Sequence, residues 1–148
     1  MPLSGRVMKL EEVPDPVFSA MPSERGLAIL PTEGRVLSPA DGVVAELLAS
    51  RHAVAIRTDS GVEVIVHVGL DTVAMRGEGF HPQVRKGDKV AAGQPLIEFS
   101  LELVELKATS TITPFFIANP GTAKRIPHRS PELAEAGRTP LMTVRVKP

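Results

Sequence analysis

Short apolar stretches alternate with turn signals along most of the chain. Gly26-Leu27-Ala28-Ile29-Leu30, Arg35-Val36-Leu37 and Val43-Val44-Ala45-Glu46-Leu47-Leu48 are each strand-sized, and Asp41-Gly42 marks the reversal before the third. His52-Ala53-Val54-Ala55-Ile56-Arg57 and Glu63-Val64-Ile65-Val66-His67-Val68 follow, joined by Thr58-Asp59-Ser60-Gly61, whose Asp and Gly suit a tight turn. This pattern predicts a β-hairpin with one histidine at the start of its first strand and another near the end of its second. Antiparallel pairing sets those two ends opposite each other, so that His52 and His67 become neighbours. Whether their rings share a face depends on register, because a slip of one residue turns a side chain to the other side of the sheet.

Beyond the hairpin, Gly87 and Gly93 mark turns between short apolar pieces, and Ile97-Glu98-Phe99 reads as a strand. Leu101 to Leu106 and Pro131 to Ala136 read as short helices, and Phe115-Phe116-Ile117 and Leu141 to Val146 as closing strands. Gly121 to Gly137, rich in Pro, Arg and polar residues, reads as a surface excursion before the last strand. No internal repeat divides the chain, so residues 1–148 are taken as a single domain. The expected class is all-β with minor short helices, and the spacing around Gly87 and Gly93 is familiar from barrel-sandwich domains.

Composition narrows the functional classes. The 12 Gly and 14 Pro argue against long helices. With no cysteine, a disulfide framework, thiolate metal ligation and covalent sulfur chemistry are all excluded, and a reducing cytosol is compatible. The 17 basic and 17 acidic residues cancel, leaving no global positive field for nucleic acid. No apolar run approaches the roughly 20 residues of a membrane span, and Met1 to Arg6 lacks the regions of a signal peptide. The chain therefore reads as a soluble cytoplasmic protein without direct membrane insertion.

Among the 4 histidines, His67 interrupts an apolar run that would otherwise suit a strand buried on both faces. A polar ring there demands a partner. A neutral imidazole has a free lone pair at cytosolic pH and can attack phosphorus without a separate base. Phosphoryl transfer relies mainly on positioning and charge stabilisation, so a small shallow site suffices. The same two imidazoles plus Asp71 also make a zinc ligand set. Spacing alone does not separate phosphate from metal.

Several blocks occur in a fixed order: Pro2-Leu3-Ser4-Gly5, Val13-Pro14-Asp15-Pro16-Val17-Phe18, Ser38-Pro39-Ala40-Asp41-Gly42, His52-Ala53, Asp59-Ser60-Gly61-Val62-Glu63, Val66-His67-Val68-Gly69-Leu70-Asp71-Thr72-Val73 and Gly77-Glu78-Gly79-Phe80. Together they closely resemble the glucose-type IIA component of the bacterial phosphoenolpyruvate-dependent sugar phosphotransferase system. The likeness runs from about residue 2 to residue 119 and resumes at Gly137-Arg138-Thr139-Pro140 and the final strand.

The resemblance implies an antiparallel β-sandwich or barrel-sandwich domain with a shallow active site in which His67 is phosphorylated through Nε2 and His52 helps to hold the phosphoryl group. Phosphate would arrive from the phosphocarrier HPr and leave to the IIB domain of a sugar permease. By position, Ser50 matches a hydroxyl residue that hydrogen-bonds near the site, and Gly69 a backbone carbonyl that orients the nucleophile's other nitrogen. Val17, Phe18, Leu48, Ile65 and Val73 match an apolar rim on which partners dock. Asp71 matches a rim carboxylate that pairs with a partner's arginine, although a carboxylate capping the following turn fits equally. No cofactor is required, but relatives also act as regulators of other proteins, and His52 and His67 could then share a zinc ion with a partner's carboxylate.

The chain departs from that pattern in places. Leu48 and Ile65 stand where many relatives have Phe, and Arg51 beside His52 replaces a more usual neutral residue. Ser23-Glu24-Arg25-Gly26 replaces a glycine-richer turn, and the segment from Pro120 to Ala136 diverges. Pro2-Leu3 already belongs to the matched blocks, so the amphipathic membrane-associating tail of some relatives is expected to be missing. Two rival readings stand beside the phosphocarrier. One is a zinc hydrolase using His67 and Asp71, although the His-x-His pair of such enzymes is absent and His81 and His128 read as surface residues. The other is a phosphorylation-dependent binding regulator.

Overall fold

A computed structural model of the chain describes residues 2–22, 25–118, 123–126, 133–134 and 143–146. The alternating segments form strands β1 (Gly5–Lys9), β2 (Gly26–Pro31), β3 (Arg35–Leu37), β4 (Gly42–Leu47), β5 (Ala53–Thr58), β6 (Glu63–His67), β7 (Phe80–Pro82), β8 (Lys89–Val90), β9 (Pro95–Phe99), β10 (Thr113–Ile117), β11 (Ala123–Ile126), β12 (Leu133–Ala134) and β13 (Thr143–Val146). Two short helices, α1 (Pro16–Ser19) and α2 (Leu101–Lys107), accompany them. Each has its start written in sequence. The carboxylate of Asp15 accepts from Val17 N and Pro16 opens the first turn of α1, and the Ser100 hydroxyl accepts from Leu103 N at α2.

All strand pairs are antiparallel. The largest sheet has the order β12-β1-β2-β10-β6-β5-β4-β8, and a second has the order β3-β9-β7. The main core lies between them: Ile29, Val54, Ile56, Val66 and Phe115 of the first sheet pack with Val36, Phe80, Leu96, Ile97 and Phe99 of the second. The result is the expected all-β sandwich. On the outer face, α1 and a 3-10 turn at Leu10–Glu12 cover a smaller apolar cluster of Val13, Phe18, Ala28 and Leu70, with Met8, Met21, Ile112 and Phe116 against it. Each cluster removes apolar surface from water at about 25 cal/mol per Å².

Two expectations are corrected. Leu133 and Ala134, read above as part of a helix, form an edge strand in which Gly5 pairs with Ala134 and Arg6 with Leu133. The open backbone edge of β1 overrides the helical preference of Leu and Ala. The excursion from Gly121 to Gly137 also contains β11, which pairs with β13 from Ala123↔Val146 to Ile126↔Thr143. Ser23, Glu24 and His128, and the rest of the helix expected at Pro131 to Ala136, lie outside the described residues. No helix among the described residues is long and apolar enough to cross a membrane.

Candidate phosphoryl-transfer site

The hairpin of β5 and β6 forms as the pattern predicts, but its register pairs His67 with Ala53, not with His52. Strict alternation would therefore turn His52 to the opposite face. His52 instead precedes β5 and follows Arg51, which holds a left-handed φ of 66° at the end of a turn closed by Arg51 N donating to Leu48 O at 2.8 Å. This break in the pleat at the strand end lets the two rings meet, with centroids 4.8 Å apart and planes at 78°.

Each ring is tied to one of the two apolar clusters. His52 is only 2% exposed and contacts Phe80 of the main core at 6.4 Å. His67 is half-buried and contacts Phe18 of the outer cluster at 5.2 Å, and Phe18 in turn meets Phe116 at 6.1 Å. The pair bridges the two sides of the sheet where β5 begins and β6 ends.

Both Nδ1 atoms are occupied. His67 Nδ1 donates to the carbonyl of Gly69 at 2.9 Å, and Ser50 Oγ lies 2.7 Å from His52 Nδ1. Gly69 can turn its carbonyl back because it has a φ of 74°, a conformation open to glycine. Two threonines that sequence reading missed fix this loop: Gly69 N donates to Thr113 Oγ1 at 3.3 Å, and Thr72 Oγ1 donates to Val68 O at 2.7 Å. Local pattern marks neither: Thr72 follows the charged Asp71, and the partner of Thr113 lies 44 residues away.

Burial pushes the pKa of His67 below its ordinary 6.5, only partly opposed by the Gly69 and own-backbone carbonyls and by the charges of Asp15 and Asp71. Burial and then the adjacent His67 also lower His52, against a smaller raising contribution from the Ser50 backbone carbonyl. Both rings are thus neutral at neutral pH. With Nδ1–H donated to Gly69, His67 has its lone pair on Nε2. The Ser50 hydroxyl can donate to or accept from Nδ1 of His52, so the nitrogen that carries the His52 proton follows from the tautomer. The free lone pair of His67 Nε2 is a nucleophilic atom at neutral pH.

Beside His67 lies a depression of about 380 Å³ lined by Asp15, Val17, Phe18, Met21, Asp71, Thr72, Val73 and Phe116. Of the expected rim residues, Val17 and Val73 stand 65% and 63% exposed at this depression, whereas Phe18 is buried and forms its wall. Leu48 is exposed and Ile65 half-buried, and neither lines it. Asp15 joins Asp71 there, a carboxylate the sequence reading used only as part of a motif. Asp71 does not cap the following 3-10 turn; its side chain accepts from the Thr109 hydroxyl.

Among the described residues no three His, Cys, Asp or Glu side chains converge. The two Nε2 atoms would require ligands from elsewhere, so the hydrolase reading lacks its ligand set among the described residues.

A family model described as phosphoenolpyruvate-dependent sugar phosphotransferase system, EIIA 1, matches residues 1–122. A glucose-specific EIIA component from Bacillus cereus is 47% identical over 146 residues, spanning 99% of this chain and 88% of its own length. The equivalent protein of Halalkalibacterium halodurans is 40% identical over 146 residues, spanning 99% and 84%. Among solved structures, the glucose permease IIA of Mycoplasma capricolum superimposes with a TM-score of 0.75 at 32% identity, covering 98% of this chain and 90% of that one.

Proposed function

Because the chain belongs to the EIIA 1 family of the phosphoenolpyruvate-dependent sugar phosphotransferase system, we propose that it carries phosphate for sugar uptake on Nε2 of His67, between HPr and the IIB domain of a sugar permease. The observation that carries this reading is the geometry of the histidine pair: Gly69 O takes the Nδ1 proton of His67 and leaves its Nε2 lone pair free, with the His52 ring 4.8 Å away between centroids.

In the acceptance step the Nε2 lone pair of His67 attacks phosphorus as the bond to the donor breaks, and the donor leaves with that electron pair. The bound phosphoryl group is close to a dianion, and the Nε2–H of His52 donates to one of its oxygens. The proton on Nδ1 of His67 stays with the Gly69 carbonyl throughout. Phe18, Val17 and Val73 limit water at the reacting atoms when a partner covers the depression. Asp15 and Asp71 offer negative charge to a partner's cationic side chain. Such a relay to a permease places the protein in the cytoplasm. The sugar is chosen by the permease.

Incubation with phosphoenolpyruvate, enzyme I and HPr, followed by intact-mass and acid-lability measurement, tests the reading. Wild type gains one acid-labile phosphate and His67→Ala gains none. His52→Gln accepts phosphate but passes it on poorly; if His52→Gln alone blocks acceptance, the two roles are reversed.

A further inference from the structure

We propose that Thr109 is a positioning residue that holds the Asp71 carboxylate in place at the edge of the depression, ready to meet a partner's cation. The inference rests on the phosphocarrier reading and names a residue that acts through Asp71.

Asp71 has little local support. Its backbone is left-handed, with φ 60° and ψ 24°, and its side chain makes no cap bond to the 3-10 turn Thr72–Met75 that it precedes. None of the ion pairs among the described residues includes it. The bond it does make comes from far along the chain, where the Thr109 hydroxyl donates to Oδ2.

Thr109 is well placed for this. Its N donates to Leu70 O at 3.1 Å and Leu70 N donates to Ser110 O at 3.0 Å, so the segment after α2 is clipped to the loop that carries Gly69 and Asp71. Leu70 is 1% exposed and anchors that clip in the outer cluster. Alongside, Lys107 Nζ bonds Glu78 Oε2 at 2.7 Å, tying α2 to the far end of the same loop. The hydroxyl is therefore presented from a fixed backbone.

The chemistry of the donor matters as much as its place. A lysine or arginine at this position would neutralise the carboxylate it holds. A neutral hydroxyl orients the carboxylate and leaves its charge for the incoming protein. Orienting it beforehand lowers the ordering cost of docking, so the effect falls on encounter with the donor and not on the chemical step.

Single-turnover acceptance from phospho-HPr, with chain concentration varied, reads the two quantities separately. Thr109→Val should raise the half-saturating concentration about three- to tenfold and leave the maximal rate within about twofold of wild type. Thr109→Ser, which keeps the hydroxyl, should restore wild-type behaviour. In an Asp71→Asn background Thr109→Val should add nothing further. The inference is overturned if Thr109→Val matches wild type, if Thr109→Ser is as impaired as Thr109→Val, if the two changes are additive, or if the maximal rate falls in place of the half-saturation. In each of those cases wild type still accepts phosphate on His67 and the phosphocarrier reading stands. Failure of wild type to accept phosphate at all sinks that reading and this inference with it.

Discussion

The ring of His52 stands edge-on to the ring of His67, 4.8 Å between centroids, although the hairpin register pairs His67 with Ala53. The contact exists because the chain leaves the strand at Arg51, and it joins a ring seated against the main core to one seated against the outer cluster. The consequences can be tested residue by residue.

Ser50 Oγ holds the His52 ring through a 2.7 Å contact with Nδ1. Ser50→Ala removes a hydrogen bond worth about 1 kcal/mol, and transfer from His67 to the acceptor should slow about fivefold. Ser50→Thr should behave as wild type. Quench-flow measurement of phosphate leaving His67 decides the matter; unchanged kinetics in Ser50→Ala would remove Ser50 from the site.

The lowered pKa of His67 sets the pH dependence of acceptance. The neutral ring is the nucleophile, so the rate should stay level as pH falls through 6.5 and decline only at lower pH. A rate profile that is already half-lost at pH 6.5 contradicts this. The same shift affects stability. Between the lowered folded values and 6.5 the folded state binds fewer protons than the unfolded chain, so this contribution is complete above 6.5 and is lost as pH falls below it. The urea midpoint of wild type should drop more on acidification than that of His52→Gln/His67→Gln.

Phosphorylation should reverse the electrostatic influence of His67 on His52. Before transfer, a protonated His67 opposes protonation of His52. Afterwards, a nearby phosphoryl group of charge about minus two favours the imidazolium. The NMR titration midpoint of His52 should therefore rise on phosphorylation, and a midpoint that falls or stays fixed would place the phosphoryl group away from His52.

Gly69 has a positive φ of 74°, and a Cβ there would lie 2.5 Å from Thr72 Cγ2 and 2.9 Å from the Ser110 carbonyl oxygen. Gly69→Ala should cost about 1–3 kcal/mol or more in stability. The Gly69 carbonyl would also shift from His67 Nδ1. Thermal denaturation and phosphate acceptance should both suffer, whereas Gly61→Ala, with open space around its Cβ position, carries only the backbone strain of its φ of 89° and should spare acceptance.

The strands β2 to β6 were readable because their apolar residues recur with the sheet's own period and Gly or Asp punctuates them. β1 was not, since Arg6-Val7-Met8-Lys9 has too short an apolar run to announce a strand. β12 was read as helix because Leu and Ala favour one locally, and only the vacant edge of β1 made it a strand. At the site, Gly69 and Ser50 stood out by position in a familiar pattern. Thr113 and Thr109 did not, because their partners lie 44 and 38 residues away.

By itself the sequence determined the class of fold, the hairpin that brings two histidines to one end of a sheet, and the family to which the chain belongs. Those properties are carried by local periodicity and by short contiguous blocks. The tertiary structure alone decided that the rings meet despite an unfavourable register, which nitrogen of His67 stays free, and which residues surround the pair. Those depend on a backbone turn at Arg51 and on hydrogen bonds between distant segments, where no local pattern of apolar and polar residues records the partner.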